Sequence, residues 1–345
     1  MCVYMGKTAA SAPTKLILCG EHYVVYGARA IAFATSLRNL VELSEASGKP
    51  CLVINSRIGN ASIYPDGKFV GAKILRGFGE LFLHILRRNK FKPRGGLRAK
   101  LILSDAPKGM GNSASLAAAL ALALYSYFKR KPRFEEIFES AQESERIMHG
   151  GIPSGLDART VIKGGFQIFR KNFSQRKVSF EFKDARVVFP KNTRAVVVDT
   201  YVGGRKSTTG EMVKKFARRC GACGAPEEIG EKERKRITRA YEELFGKVAG
   251  ELHENGDAKI LGELLNENHL MLARAGMGSE GIERARAVCL ANGAYGAKLS
   301  GAGGRGGAVI ALVDARKTNG ILRALRKEGL RAFVAEADYS GVRLV

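Results

Sequence analysis

Along the chain the spacing of apolar residues changes period several times, and each change marks an element. Residues 14–19 (TKLILC) and the apolar run 30–44, which alternates toward its end, predict strands joined by GEHYVVYGAR. Residues 50–66 predict further strands, with turns at Gly59-Asn60 and Asp66-Gly67. From Val70 to Arg88 the period becomes helical. Ile74, Leu75, Phe78, Leu81, Phe82, Ile85 and Leu86 fall on one face of an amphipathic helix. LRAKLILS (97–104) predicts a strand, and helices follow over 113–128 and 134–149, the second ending at Gly150-Gly151.

Beyond these, GGFQIFRK and KVSFEF predict a strand pair, and RAVVVDT (194–200) a buried strand. The region from Thr209 to Ala291 is mostly helical, broken at Gly224-Ala225-Pro226, Asn255-Gly256 and Gly276–Gly278. The tail alternates again: AKLS, a glycine-rich turn, AVIALV, a helix over 316–328, RAFVAEA and a short last segment. No internal repeat appears. The pattern is α+β, and a composition shift near 185–193 predicts two domains, 1–188 and 189–345.

Composition fits that picture. At 345 residues, 45% hydrophobic and 26% charged, the chain is long enough for two globular cores. No segment reaches the roughly 18 apolar residues of a membrane span. The run Ser115 to Ala123 is short and Ala-rich, as in a core helix, and MCVYMGKTAASAP lacks an apolar signal core. The expected location is the cytoplasm, with no membrane partner.

A formal charge of +24 is compatible with nucleic acid, an anionic membrane surface or small anionic substrates. The basic residues are spread over RRNKFKPR (87–94), FKRKPR (128–133), KKFARR (214–219) and EKERKRITR (231–239), several interleaved with acids at helical spacing. No aromatics punctuate them as base-stacking platforms would. Specific nucleic-acid binding is therefore not expected. Of six cysteines only Cys220 and Cys223 form a C-x-x-C pair, without a second pair or nearby His to complete a zinc site. Reduced thiols are expected.

The stretch that organises the chemistry is 105–125, DAPKGMGNSASLAAALALALY. Pro107, Gly109 and Gly111 make a tight loop, and Asn112 or Ser113 can cap the apolar helix that follows. Free amides, the positive helix end and small side chains form a phosphate cradle; an ordinary loop before a buried helix reads the same way. Two other nucleotide signatures fail. Gly301, Gly303 and Gly306 make G-x-G-x-x-G, but a strand pattern follows where a dinucleotide fold needs a helix. Gly6-Lys7-Thr8 lacks the upstream glycine and strand of a P-loop.

Three segments stand together: APTKLILCGEHYVVYGARAIA (12–32), APKGMGNSAS (106–115) and AKLSGAGGRGG (297–307). With ERIMHGGIPSGLDARTVIKGG (145–165) and weaker matches at DTYVGGRKSTTGEMV (199–213) and NENHLMLARAGMG (266–278), the chain resembles the GHMP kinase superfamily, and within it the mevalonate kinase family. The resemblance covers most of the chain, in order. It implies a ribosomal-protein-like N-terminal domain, a ferredoxin-like, helix-rich C-terminal domain, and an active site in the cleft between them.

The resemblance further implies ATP-dependent phosphorylation of the 5-hydroxyl of mevalonate. Asp157, in a Pro-Ser-Gly-Leu-Asp loop, would be the general base and Lys15 its electrostatic partner at the developing alkoxide. The loop Pro107, Lys108, Gly109, Met110, Gly111, Asn112, Ser113, Ala114 and Ser115 would hold the triphosphate. Gly301, Gly303 and Gly304 would close over it, with Ser300 at the entrance of that loop. Ser113 and Glu145 would ligate Mg2+, a hard ion content with few protein oxygens. Glu21, His22, Thr208 and Thr209 would lie on the substrate side, His22 donating to or orienting the hydroxy acid. A homodimer is compatible with the family.

Four positions depart from the family pattern. Thr14 replaces a Gly before Lys15, Asn112 replaces a Ser, Arg305 interrupts the third glycine run, and an extra Gly lengthens GGIPSG. GEH followed by VVYG argues against galactokinase, and the retained Asp157 and Lys15 against homoserine kinase-like members. Phosphomevalonate kinase is the neighbouring alternative within the superfamily. Outside enzymes, the ribosomal-protein-like domain and the +24 charge suggest an RNA-binding protein.

Overall fold

The computed structural model describes residues 7–149, 153–173, 178–201 and 207–345. Cys2, Gly6, the Gly150-Gly151 helix stop with its extra glycine, and 202–206 of the DTYVGGRKSTTGEMV segment lie outside the described residues.

The first half of the chain builds a mixed sheet backed by helices. Strand β1 (Thr8–Cys19) leads through one 3-10 turn (Tyr23–Tyr26) into the long β2 (Arg29–Ala46), then β3 (Leu52–Ser56), β4 (Gly59–Ile63) and β5 (Phe69–Gly71). Helix α1 (Arg76–Asn89), β6 (Gly96–Ile102), α2 (Asn112–Tyr127), α3 (Phe134–His149), α4 (Leu156–Lys163), β7 (Phe166–Phe173) and β8 (Val178–Ala185) follow. β2 is long enough to pair with β1 along one edge and with β6 and β7 at its two ends on the other. Among the described residues only β3 and β6 run parallel, since α1 supplies the crossover that parallel strands need.

The helical pattern from Val70 is realised only from Arg76, after a short 3-10 turn at Lys73–Leu75. Phe69–Gly71 instead extends the sheet as an edge strand on β4, where Gly71, at φ 133°, lies against Asn60 and Ala61. Gly59-Asn60, expected as a turn, opens β4, and the hairpin turns over the two residues before it. The expected strand around 14–19 is longer, starting at Thr8.

The second half builds an antiparallel sheet under helices. β9 (Thr193–Asp199), α5 (Thr209–Arg219), α6 (Glu231–Glu251), α7 (Ala258–Arg274), α8 (Glu280–Ala291), β10 (Gly296–Ser300), β11 (Ala308–Asp314), α9 (Thr318–Lys327) and β12 (Arg331–Val334) give the strand order β10-β11-β9-β12. The chain then returns: β13 (Arg343–Leu344) pairs with β1, and Arg38 of β2 pairs with Asp338. The tail assigned to residues 189–345 thus ends on the first sheet.

Two large cores hold these layers, beside a small cluster of Ala32, Leu156 and Phe169. One lies among α1, α2 and one face of the first sheet, where α2 is apolar all round and fully sandwiched. The other is shared: Leu16, Ile31 and Phe33 of the first sheet pack with Val196–Val198, Leu299 and Tyr241 of the second half. A common apolar core of this size makes the two halves one body at their contact. Among the described residues no helix is long and apolar enough to cross a membrane.

Candidate active site

The site begins with a fault in β1. Pairing with β2 shifts register between Pro13 and Thr14, as expected where Pro removes a ladder donor. Thr14, the departure from the family glycine, is fully buried with its hydroxyl 2.7 Å from that of Thr35. Past the bulge, the Lys15 amide donates to the Met110 carbonyl at 2.8 Å, which fastens the glycine loop to the strand.

The Lys15 side chain then reaches Asp157, Nζ to Oδ1 3.0 Å. Asp157 was expected in a loop. It stands instead in the first turn of α4, after Gly155 at φ 82°, where the positive end of the helix favours its negative charge. Its side chain is 36% exposed and that of Lys15 only 5%, so the carboxylate faces the cleft while the ammonium supports it from below.

The loop–helix junction differs from expectation in a useful way. Neither Asn112 nor Ser113 caps α2; the N-cap is Gly111, at φ 67°, with no side-chain cap bond. The Asn112 side chain instead donates to the Pro107 carbonyl at 3.2 Å and accepts from Asn39 at 3.1 Å, bracing the loop across its base. The first amides of α2 are therefore left without a side-chain acceptor, as a phosphate cradle requires. A Cβ on Gly111 would stand 2.9 Å from Lys15 Cγ and 3.6 Å from Asp157 Oδ2, so only glycine lets the loop lie against the pair.

The remaining loop residues divide by side-chain direction. Lys108, Gly109, Gly111, Asn112 and Ser113 line the cleft. Met110, Ala114 and Ser115 are buried in the core, and Ser115 Oγ donates to the Ala12 carbonyl at 2.8 Å. Those three side chains shape the loop without facing the cleft. Glu145 is also buried, on α3, and does not line it.

On the opposite wall, Gly301, Gly303 and Gly304 all take positive φ. Gly301 and Gly303 line the cleft, while a Cβ on Gly304 would collide with Ser207 Oγ at 2.5 Å. Ser300 ties the wall to β1: its hydroxyl donates to the Ile17 carbonyl at 2.8 Å and accepts from the Ile17 amide at 3.2 Å.

His22, held at φ 62°, stacks on Phe216 with ring centroids 5.2 Å apart. Its Nε2 lies 2.9 Å from the Ala302 carbonyl, which fixes the proton on that nitrogen and leaves Nδ1 an acceptor without a partner among the described residues. Burial lowers its pKa to about 4. The ring is neutral near pH 7, and its only donor is committed to the protein.

Glu21 beside it meets Lys298 at 2.5 Å, with both side chains essentially unexposed. Burial pushes the Glu21 carboxyl upward, and the Lys298 ammonium pulls it partly back. Sequence reasoning missed Lys298. The signal was a lone charge in AKLS, a strand whose every position proves buried. Of the two threonines, Thr209 lines the cleft. Thr208 caps α5 reciprocally with Glu211 and is exposed outside the cleft lining.

The cleft these groups enclose measures about 490 Å³ and is closed on one side by Ile17, Val24, Val25 and Val213. Its oxygen donors toward a divalent ion are the carboxylates Glu21 and Asp157 and the hydroxyls of Ser113, Ser207, Thr209 and Ser300. Among the described residues no cluster of three or more His, Cys, Asp or Glu could hold a metal alone. That fits an ion bound largely through phosphate oxygens and water. Cys220 and Cys223 are free thiols, half-buried and exposed.

The chain is similar to known kinases. Residues 80–165 match the model of the GHMP kinases N-terminal domain, and residues 248–330 that of the GHMP kinases C-terminal domain. A mevalonate kinase of Aeropyrum pernix is 30% identical over 339 residues, covering 97% of each chain. One of Methanocaldococcus jannaschii is 28% identical over 334 residues, covering 93% of this chain and 96% of its own. The crystal structure of L. major mevalonate kinase in complex with R-mevalonate superposes with a TM-score of 0.75 at 25% identity, covering 96% of each chain. With two glycine-rich walls, a paired lysine and aspartate between them, and likeness over nearly its full length, the chain belongs to the mevalonate kinase family of GHMP kinases.

Proposed function

We propose that this enzyme transfers the γ-phosphoryl group of ATP to the 5-hydroxyl of mevalonate, with Asp157 accepting the hydroxyl proton. The observation that carries the reading is the Lys15–Asp157 pair, 3.0 Å apart, between a glycine loop at an uncapped helix start and a second glycine wall. The amides of Gly111 to Ser113 and the Lys108 ammonium bind the phosphates. A groove of about 420 Å³ formed by Asn55, Arg57, Lys100 and Leu101–Leu103 lies where β6 runs into the loop and suits the base. Ser113, which lines the cleft, would hold Mg2+ with Glu145 supporting it from α3, and the bound ion would supply charge neutralisation.

The substrate alcohol lies with its oxygen between Asp157 and the γ-phosphorus. As the oxygen–phosphorus bond forms and the bond to the ADP oxygen breaks, Asp157 takes the proton and Lys15 stabilises the charge left on the oxygen. His22, neutral and with Nε2 committed to Ala302, accepts a substrate hydroxyl at Nδ1 rather than pairing with the carboxylate. The apolar wall of Val24, Val25 and Val213 covers the methyl-bearing carbon.

The test is a coupled assay with ATP and magnesium on a panel of alcohols. Turnover with mevalonate is expected. Turnover with phosphomevalonate and none with mevalonate would overturn the substrate, and ATP-independent binding of RNA without any turnover would overturn the class.

A further inference from the structure

Two features of the sequence are left over by the kinase site: the basic run KKFARR and the Arg305 that interrupts the third glycine run. They meet in space. A cavity of about 470 Å³ lies behind the third glycine wall, between α5 and the start of α8. Lys215 and Arg218, one turn apart on α5, enter it from one side, and Arg305 enters from the loop. Gly278 and Ser279 close the far side.

The cations are positioned rather than merely exposed. Bare Gly276 lets the Lys215 chain lie flat; a Cβ there would stand 3.0 Å from its Cε and 3.4 Å from its Nζ. The Arg305 amide donates to Ser207 Oγ at 3.3 Å, which fixes where its side chain leaves the loop. Some basic residues elsewhere are matched with acids, as in Arg88–Glu139, Arg130–Glu136 and Lys235–Glu231. Lys215, Arg218 and Arg305 have no such ion pair among the described residues.

The carboxylates nearby are engaged. Glu211, which lines the cavity, accepts from the Thr208 amide at 2.7 Å, and Glu283 holds His269 and Arg286. Three positive side chains and one carboxylate leave the cavity with a clear positive balance. Like charges gathered at one cavity repel, and an anion of matching charge relieves that repulsion.

We propose that this cavity is a second anion site, taking a small molecule that carries a phosphate or diphosphate group. Two guanidinium forks suit phosphate oxygens bidentately, and the lysine adds a point charge. The binding does not depend on the kinase reading. Its effect on turnover does: Arg305 and Gly304 belong to the loop whose Gly301 and Gly303 face the cleft, so an anion held here restrains that wall.

The experiment is calorimetric titration of inorganic pyrophosphate into the protein, free and saturated with a non-hydrolysable ATP analogue, with inorganic phosphate as a second probe. One class of pyrophosphate binding is expected to survive analogue saturation and to exceed phosphate in affinity. In the Arg218→Ala/Arg305→Ala double variant it should weaken at least about tenfold, with melting temperature and analogue affinity unchanged. Arg305→Glu, at an exposed position, gives the same loss by charge reversal. Complete loss of pyrophosphate binding on analogue saturation overturns the proposal, because the phosphate loop then accounts for all of it. So does binding that neither variant alters, which reports diffuse attraction to a basic surface.

Discussion

Lys298 of β10 and Glu21, just past β1, form an ion pair 2.5 Å long that joins the two halves of the molecule with neither side chain exposed. Such a pair is expensive to bury, and removing one partner typically costs about 3–5 kcal/mol. It stands directly behind the cleft, since Glu21 precedes His22 and lines it. Lys298→Met should push the Glu21 carboxyl further upward, because the ammonium that pulls it down is gone. The acid limb of kcat/KM should move to higher pH, with a rise in KM for mevalonate larger than any fall in kcat. Lys298→Arg should restore part of the profile. A pH profile superimposable on wild type in a folded Lys298→Met protein would reduce the pair to a structural tie.

Asp157→Asn keeps the shape of the base and removes its proton acceptor. Loss of general-base help costs about 10²–10⁴-fold in kcat, roughly 3–5 kcal/mol, with little change in ATP affinity. Lys15→Met should also lower kcat, and the double variant should be scarcely worse than the worse single, as for groups acting as a unit. Steady-state kinetics on the three proteins, with ATP binding measured apart, checks this. An Asp157→Asn enzyme within about threefold of wild type removes Asp157 from the chemistry.

Gly111→Ala should damage turnover more than folding. A left-handed backbone costs a non-glycine residue about 1–2 kcal/mol, and the new Cβ, 2.9 Å from Lys15 Cγ, must displace the lysine. We expect kcat to fall at least about tenfold while the melting temperature drops by a few degrees. Unchanged kcat would mean the loop tolerates a different seat against Lys15.

Ser113→Ala and Glu145→Gln should each lower kcat and raise the magnesium concentration needed for half-maximal rate. Ser113 lines the cleft and Glu145 is buried behind it, so the serine variant should fold as wild type does. A magnesium dependence unaltered in both would return Glu145 to a packing role on α3.

Stability should fall as pH drops below about 6.5. His22 and His269 are buried neutral, each with a pKa lowered to about 4 by burial. The unfolded chain takes up those protons near pH 6.5 and the folded one only near 4, so unfolding gains protons throughout that window. Two such groups give a loss on the order of a few kcal/mol, flattening below pH 4. Glu21, shifted upward, acts with the opposite sign and offsets part of it. Urea unfolding between pH 4 and 7 measures the slope, and His269→Gln should reduce it. A stability rising on acidification would contradict the assignment.

Much of this was legible in the chain. The loop 106–113 announces itself through glycine spacing beside an uncharged helix, and Lys15 and Asp157 through the segments around them. Asp157 was assigned to a loop because α4 spans only eight residues between two glycines, too few turns for a helical period to emerge. The capping role given to Asn112 failed because capping propensity ignores tertiary partners, and Asn39 and Pro107 claim that side chain. Lys298 and the donor state of His22 were illegible for one reason. Both are set by contacts with residues some 280 positions away in sequence, Glu21 and Ala302.

The return of β13 to β1 reaches beyond architecture. During synthesis the ribosome delivers β1, and with it Lys15, long before the residues that flank it. The first sheet keeps an open edge until the whole second half has emerged, because Arg343 and Leu344 come after β9 to β12. The stretch of β1 at Ala10 and Ser11, a few residues before Lys15, therefore gains its second neighbour late. Vectorial, half-by-half folding cannot finish the first half on its own, and a chain stalled before residue 338 would expose a pairing-competent edge to its neighbours.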